Sequence, residues 1–339
     1  MGSMFPDGKP PGEDFINSWY PILIAVVIGV VYAIRQYMRG AQCQSTVSLK
    51  DKIAFVTGGN GGIGFATCAD FAERGAKVIM GVRCMEKGQE ALSLLKTRFP
   101  KADVDVMEID MASFESIREV VKQIETKYER LNILVNNAGI MCHPEGKSKD
   151  GFELHLAVNY LGPYLLTRLL MPLLRKNPGS RVVNVTAHAY RIAEVNTDDL
   201  NFESRSYTPG EAYSQSKLAI LLDTLVLSKQ IPSSEVCINA IQPGVVNTGA
   251  QRHMPFKQNS FLRISLSPIV WFLMKAPKDG AQSIIQAAVA EEEKDVTGKL
   301  YGECTFETIE ATALNEELSQ KFTTKAAEMT GCSDFTNLE

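Results

Sequence analysis

Residues 53–64 read Ile-Ala-Phe-Val-Thr-Gly-Gly-Asn-Gly-Gly-Ile-Gly. The first five form a short apolar run with β-branched members, the pattern of a buried strand. Gly58, Gly59, Gly61, Gly62 and Gly64 then crowd into one turn before a helical pattern begins at Ile63. Glycine lets the backbone come close to a ligand, and a helix N-terminus offers unpaired N–H groups with the positive end of its dipole. Set directly between a buried strand and a helix, the cluster predicts a dinucleotide site. Gly58, Asn60, Gly62, Ile63 and Gly64 are its candidate contacts.

Outward from this turn, short apolar runs alternate with amphipathic ones. Strands are predicted at 53–57, 77–82, 104–109, 132–135, 181–185 and 236–241, several too apolar to have a wet face. Helices are predicted at 63–74, 86–98, 114–128, 152–176, 212–229 and 280–290. Buried strands alternating with helices predict the α/β class, a doubly wound parallel sheet in a single domain over residues 51–310. Residues 311–339 read as a C-terminal helical extension.

The composition allows this and excludes other classes. With 339 residues, 45% hydrophobic and 22% charged, the chain can bury a large core without disulfide or metal staples. A net charge of −4 without a long basic block argues against nucleic acid as a partner. The seven cysteines include no C-x-x-C and the four histidines no H-E-x-x-H, so neither a disulfide framework nor a metal site is predicted. Met1-Gly2-Ser3 ahead of Met4 has the look of a cloning scar.

Residues 15–34 carry no charge, and 21–34 read PILIAVVIGVVYAI. Roughly 20 helical residues cover about 30 Å, the thickness of a bilayer core. Trp19 and Tyr20 lie near one end, Tyr32 and Tyr37 near the other. The segment before them is acidic (Asp7, Glu13, Asp14), whereas Arg35, Arg39, Lys50 and Lys52 follow. A signal peptide would start basic. The pattern therefore predicts a single-pass anchor over 15–38, residues 1–14 lumenal, a short linker over 39–50 and a cytosolic catalytic part.

Further motifs follow in order: Asp110 at the end of the third strand, Asn136-Asn137-Ala138-Gly139, Asn159 within L-A-V-N-Y-L-G, Tyr213-Ser214-Gln215-Ser216-Lys217, and Pro243-Gly244-Val245-Val246-Asn247-Thr248. With T-G-x-x-x-G-I-G these resemble the short-chain dehydrogenase/reductases over roughly residues 50–305. The resemblance implies a Rossmann fold and a nicotinamide cofactor. It would be held by the glycine turn, Asp110, Asn137, Ala138, Gly139, Tyr213, Lys217, Pro243, Val246 and Thr248. The second strand ends Gly81-Val82-Arg83 with no acid for a ribose 2′-hydroxyl, while Arg83 suits a 2′-phosphate. NADP(H) is favoured and NAD(H) left open.

Tyr213 is the candidate acid/base. A tyrosine with a free pKa near 10 is a poor base at neutral pH. Lys217, four residues on and so on the same helical face, can lower that value by its charge. The resemblance implies that Asn159 anchors a water reaching Lys217. It also implies a serine ahead of the tyrosine, in N-V-S-S, whereas this chain reads Asn184-Val185-Thr186-Ala187-His188. The expected position is Ala187. Thr186 is the nearest replacement hydroxyl, although one step along a strand normally reverses the side chain; His188 and Tyr190 are weaker candidates. Asn184-Val185-Thr186 also fits the glycosylation pattern, accidentally if the strand is buried and cytosolic.

Residues 250–278 fall where this family carries its substrate lid, and 261–276 read FLRISLSPIVWFLMKA. A lid so apolar suits a lipophilic alcohol taken from the bilayer, with ordinary core packing as the alternative. Within the family the chain is similar to the branch containing the microsomal retinol dehydrogenases. It is closer to the X-linked dehydrogenase/reductase group assigned to polyprenol and dolichol metabolism. They share the run from Asn196–Leu200 (N-T-D-D-L) to Glu328–Gly331 (E-M-T-G). That implies an isoprenoid or retinoid alcohol and its carbonyl, at the endoplasmic reticulum or lipid droplets, and a homodimer pairing through helices that include 212–229. The other reading, carried by Ala187, is a cofactor-binding scaffold or sensor with little or no turnover.

Overall fold

The computed structural model describes residues 18–249, 265 and 267–332. All six expected strands form: β1 Ile53–Thr57, β2 Lys77–Val82, β3 Val104–Glu108, β4 Ile133–Asn136, β5 Ser180–Val185 and β6 Val236–Ile241. Two short ones, β7 Leu300–Gly302 and β8 Thr305–Phe306, extend the sheet to the order β3-β2-β1-β4-β5-β6-β7-β8. Every pairing is parallel except β7–β8. At two and three residues these strands carry no readable alternation. Their turn is made by Glu303 and Cys304, both at positive φ, the conformation a two-residue hairpin requires.

Helices cover both faces. α1 is Tyr20–Arg39, α2 Gly62–Glu73, α3 Met85–Arg98 and α4 Phe114–Lys127. The segment predicted as one helix over 152–176 is three pieces: α5 Leu154–Leu156, a π-helical turn Ala157–Leu161, and α6 Gly162–Arg175. Periodicity cannot show one extra residue in a turn. The cause is tertiary: Asn159 bonds the backbone of Ile140, and a Cβ on Gly162 would stand 2.6 Å from the Met111 carbonyl. α7 is Pro209–Gln230, capped by Thr208, whose hydroxyl accepts from the Glu211 N–H. Then follow α8 Ser267–Leu273, α9 Pro277–Gly280, α10 Gln282–Val289 and α11 Glu316–Thr330.

The sheet buries one apolar cluster on each side. Val56, Phe71, Val78, Met80, Val135 and Ile284 pack on one face; Phe55, Ile79, Leu134, Ile117, Leu166 and Val182 pack on the other. Alternate residues of β1 thus serve opposite faces, as strand pleating demands. A third cluster joins α7 to α11 through Leu218, Leu221, Leu222, Phe322 and Ala326. The strand order reverses between β1 and β4, which opens the crevice where such sheets bind ligands.

Two expectations need revision. Residues 40–50 are a strap, not a free linker. Gly40 turns at φ +73, the Ala41 N–H donates to Glu303 (3.1 Å), the Cys43 N–H donates to Gln282 (3.0 Å), and Leu49 is buried. Small polar residues read as linker because their partners lie more than 200 positions away. The helix predicted over 280–290 begins at Pro277 and is interrupted at Ala281. Residues 1–14, and 250–264 with 266 of the predicted lid, lie outside the described residues.

Candidate active site

The carboxyl ends of β1, β4, β5 and β6 frame one cleft of about 480 Å³. It is lined by Gly58, Asn60, Gly62 and Ile63, by Asn137, Ala138 and Gly139, by Thr186 and Ala187, by Tyr213 and Lys217, and by Pro243, Val246 and Thr248. Sequence positions from 58 to 248 thus meet in one wall, as parallel strands with returning helices require.

The glycine turn fits a pyrophosphate. Gly58 and Gly62 sit at φ +67 and +54, where side chains are strained, and a Cβ on Gly64 would lie 2.3 Å from the Gly58 carbonyl. α2 starts without a side-chain cap, so its first N–H groups have no competing partner from its N-cap, Gly61. Asn137 holds the turn from the next strand: its side-chain amide donates to the Thr57 carbonyl at 2.8 Å, and its own N–H donates to the Thr57 hydroxyl at 3.0 Å. A nicotinamide dinucleotide is the group these residues fit.

Three expected contacts stand outside the cleft wall: Gly64, packed against the Gly58 carbonyl beneath the turn, Asp110 and Arg83. Asp110 lies past β3, which ends at Glu108, and its carboxylate accepts from the Ala112 N–H at 3.0 Å. Arg83 is exposed just after β2, at the edge of the glycine turn, where the Gly59 N–H donates to the Gly81 carbonyl at 3.1 Å. Among the described residues it has no hydrogen-bond or ion-pair partner.

Tyr213 and Lys217 lie one turn apart on α7, with the Lys217 ammonium 5.9 Å from the Tyr213 ring centroid. The Lys217 side chain is buried and donates to the Val185 carbonyl at 2.9 Å. That burial pushes its pKa down to about 8, because the ammonium has lost its water. Burial also raises the Tyr213 phenol, with the nearby Cys142, when ionised to thiolate, adding to it. Both groups are thus biased toward their neutral forms. The arrangement suits a phenol that keeps its proton until a reacting oxygen takes it.

Asn159 is fully engaged. Its carbonyl oxygen accepts from the Ile140 N–H at 2.9 Å, and its amide donates to the Ile140 carbonyl and to the Ser216 hydroxyl at 3.0 and 2.9 Å. Ser216 in turn donates to the Tyr213 carbonyl at 2.7 Å. The side chain therefore ties the π-turn, the loop after β4 and α7 together.

The hydroxyl of Thr186, the candidate replacement for the expected serine, is already engaged. The residue is buried, and its hydroxyl donates to the Lys217 carbonyl at 2.7 Å. Ala187 is half-buried on the cleft wall at the end of β5, and His188 beside it is exposed. Tyr190 is buried and its hydroxyl accepts from the Glu310 N–H.

Sequence reading missed a polar cluster behind Tyr213. The His155 ring stands edge-on to the Tyr213 ring at 6.2 Å, is buried, and lies 2.8 Å from the Glu153 carboxylate. Its Nε2 accepts from the His143 N–H, and the Tyr207 hydroxyl donates to the His143 carbonyl. The backbone partners Val185, Ile140 and His143 leave no trace in residue type. Glu153-x-His155 ahead of Asn159 was the one available signal.

Comparison with known proteins agrees with this geometry. A family model described as short chain dehydrogenase matches residues 52–259. Retinol dehydrogenase 13 of Homo sapiens is 37% identical over 308 residues, 91% of this chain and 93% of that protein. Polyprenol dehydrogenase of Homo sapiens is 39% identical over 293 residues, 84% of this chain and 87% of that protein. The crystal structure of an uncharacterised protein from Mycobacterium paratuberculosis superposes with a TM-score of 0.68 at 27% identity, over 87% of this chain and 98% of that one. A Pseudomonas aeruginosa RhlG/NADP active-site complex does so with a TM-score of 0.58 at 25% identity, over 75% and 94%. A glycine cradle at the sheet's switch point, a tyrosine–lysine pair facing it and these matches lead to one conclusion: the chain belongs to the short-chain dehydrogenase family and is an NAD(P)-dependent oxidoreductase acting on CH–OH groups.

Proposed function

We propose that this enzyme interconverts a lipid alcohol of the isoprenoid type, polyprenol-like or retinoid, with its carbonyl compound at a membrane surface, with NADP(H) preferred. The observation that carries the chemistry is the Tyr213–Lys217 pair sharing one cleft with the glycine turn. The lipid is supported by the retinol and polyprenol dehydrogenases among its relatives. The membrane is supported by α1, 20 residues of which an 18-residue stretch has a mean hydropathy of 1.8, with none of them buried. Arg83 supports NADP(H): an exposed guanidinium at the end of β2 with no acid in place of Val82.

When bound, the nicotinamide dinucleotide supplies the hydride or takes it up. In reduction, the Tyr213 hydroxyl gives its proton to the substrate oxygen as the carbonyl carbon gains hydride. In oxidation the step runs in reverse, and Tyr213 in its phenolate form takes the hydroxyl proton as the carbon loses hydride. Lys217 supports the phenolate left after proton donation, and its bond to the Val185 carbonyl fixes where that charge sits. Asn159 acts by position, holding α7 against the loop after β4. Thr186 does the same from β5. With Ala187 in the serine position, Tyr213 is the one hydroxyl offered to the substrate oxygen by this pair of elements, which makes the reaction slow rather than absent.

Of the faces of α7 expected to serve a homodimer, one is covered by α11 of the same chain. Arg35 and Arg39 at the domain side of α1 support a single-pass orientation with the domain in the cytosol.

The test is nicotinamide fluorescence during incubation of detergent-solubilised protein with NADPH or NADH and polyprenal or retinal, and with the oxidised cofactors and alcohols. Turnover that disappears in Tyr213→Phe, with NADPH binding kept, is the expected result. Turnover unchanged in that variant would refute the assignment. Nucleotide binding without turnover on any of these lipids would refute the substrate class and favour the scaffold reading.

A further inference from the structure

The end of α1 is bolted to the segment that pairs with the cleft wall at Val245–Asn247. Arg35 donates to the Met274 carbonyl at 3.0 Å, and its guanidinium lies 5.3 Å from the Trp271 ring centroid. One turn later Arg39 pairs with the buried carboxylate of Asp279 at 3.2 Å. The two arginines share a helix face and grip both ends of the 274–279 stretch. Gly40 then turns sharply, in a space where a Cβ would strike the Glu303 carboxylate, and the strap residues Ala41 and Cys43 are bonded at once to Glu303 and Gln282. No free joint is left between the apolar helix and the domain.

The same segment braces the cleft wall from behind. The Lys275 N–H donates to the Val245 carbonyl at 2.9 Å, and the Asn247 N–H donates to the Lys275 carbonyl at 3.1 Å. Val245, Val246 and Thr248 line the cleft. α8 ends two residues before Lys275 and points Trp271 and Leu273 outward, 60% and 50% exposed. Among the described residues, both are large apolar side chains of the domain beside α1, itself apolar and exposed along most of its length.

We propose that α8 lies in the headgroup layer of the membrane spanned by α1, with Trp271 and Leu273 inserted, so that the cleft opens onto lipid and receives its substrate from the bilayer. This rests on the reading of α1 as a bilayer span. Arginine at the end of such a span sits at headgroup level, its stem in the apolar layer and its charge in water. Trp271, in contact with Arg35, is therefore at that level too, the depth tryptophan prefers. A covering protein would have to compete with the lipid already surrounding α1 a few ångströms away. The clamped strap keeps the cleft facing the surface, where a flexible linker would let it tumble.

The chain has two tryptophans, Trp19 and Trp271. Trp19→Phe leaves Trp271 as the sole emitter without touching α8. The full chain carrying this change is reconstituted into phosphatidylcholine vesicles, either plain or brominated along the acyl chains, and floated on a density gradient. Co-flotation, blue-shifted emission and stronger quenching by bromines near the headgroup than by deep ones are expected. Flotation with unquenched, water-like emission would overturn the placement of α8 and leave the anchor standing. Failure to float would overturn the anchor and this inference with it. In a second variant, Trp271→Glu with Leu273→Glu, the KM for vesicle-dissolved substrate should rise about tenfold, with NADPH affinity unchanged. An unchanged KM would likewise overturn the proposal.

Discussion

Thr186 and Lys217 are stitched together: the Thr186 hydroxyl donates to the Lys217 carbonyl at 2.7 Å, while the Lys217 ammonium donates to the carbonyl of the residue before Thr186 at 2.9 Å. Two bonds thus fasten the end of β5 to the middle of α7. The hydroxyl that a substrate oxygen would otherwise use is spent on holding the lysine. Ala187, next in sequence, faces the cleft without a donor.

Ala187→Ser is therefore expected to raise kcat by about tenfold to 10²-fold, the order of one hydrogen-bond donor at a reacting oxygen. Thr186→Val is expected to lower stability by about 0.5–1.5 kcal/mol by removing the bond that ties β5 to the Lys217 carbonyl, which keeps its partner within the helix. Steady-state rates and thermal melts of the two variants check this. Equal kcat in Ala187→Ser and the parent would show that a second donor is already supplied from elsewhere.

Lys217 sets a pH limit. Its pKa is about 8 in the fold against 10.5 in a free lysine, and the phenol of Tyr213 stays protonated well above that range. The kcat/KM for carbonyl reduction should stay level from about pH 6 to 7.5 and then fall about tenfold per unit above pH 8, as the ammonium is lost. Stability runs the other way. The unfolded chain binds more protons between about pH 8 and 10.5, so the cost of the buried charge is present below 8 and disappears as pH rises through that window. Lys217→Met should stop turnover and stabilise the protein at pH 7 by about 1–3 kcal/mol. A profile flat to pH 10 would contradict the assignment.

Arg83 is exposed and uncommitted among the described residues, so its removal should cost affinity and little stability. Arg83→Ala is expected to weaken NADPH binding by about tenfold to 10²-fold, the worth of a charge-assisted pair, and to leave NADH binding unchanged. Fluorescence titration with both cofactors distinguishes this from a surface residue without a role, for which neither constant would move.

Gly64 admits no side chain, its Cβ position lying 2.3 Å from the Gly58 carbonyl and 2.5 Å from the Asn137 amide. Gly64→Ala should displace the glycine turn and reduce the affinity for both cofactors by about 10²-fold or more. Retained binding in a folded variant would place the cofactor elsewhere.

Arg168 and Asp223 form a buried two-bond pair at 2.7 and 3.1 Å that locks α6 to α7. Asp223→Ala should destabilise the protein by about 3–5 kcal/mol by leaving a buried guanidinium without its carboxylate, whereas Arg168→Met combined with Asp223→Leu should restore most of the loss. Thermal melts in detergent measure both.

The sequence by itself determined the sheet's strands and the site's inventory. β1, β2 and β6 are apolar enough, and bounded clearly enough, that their limits coincide with the predicted ones. The glycine cluster, Asn137, Tyr213 and Lys217 are legible because their chemistry and spacing depend on residue type. The tertiary structure alone decided what depends on partners far away in the chain. It turned the Thr186 hydroxyl onto Lys217, broke the 152–176 helix at Asn159, and fastened residues 40–50 to Glu303 and Gln282. It also set Trp271 against Arg35. Side-chain type fixes which bonds a residue is able to make. Packing of the sheet and its helices fixes which of them it does make, since a hydroxyl or amide at depth takes the partner the neighbouring element brings to it.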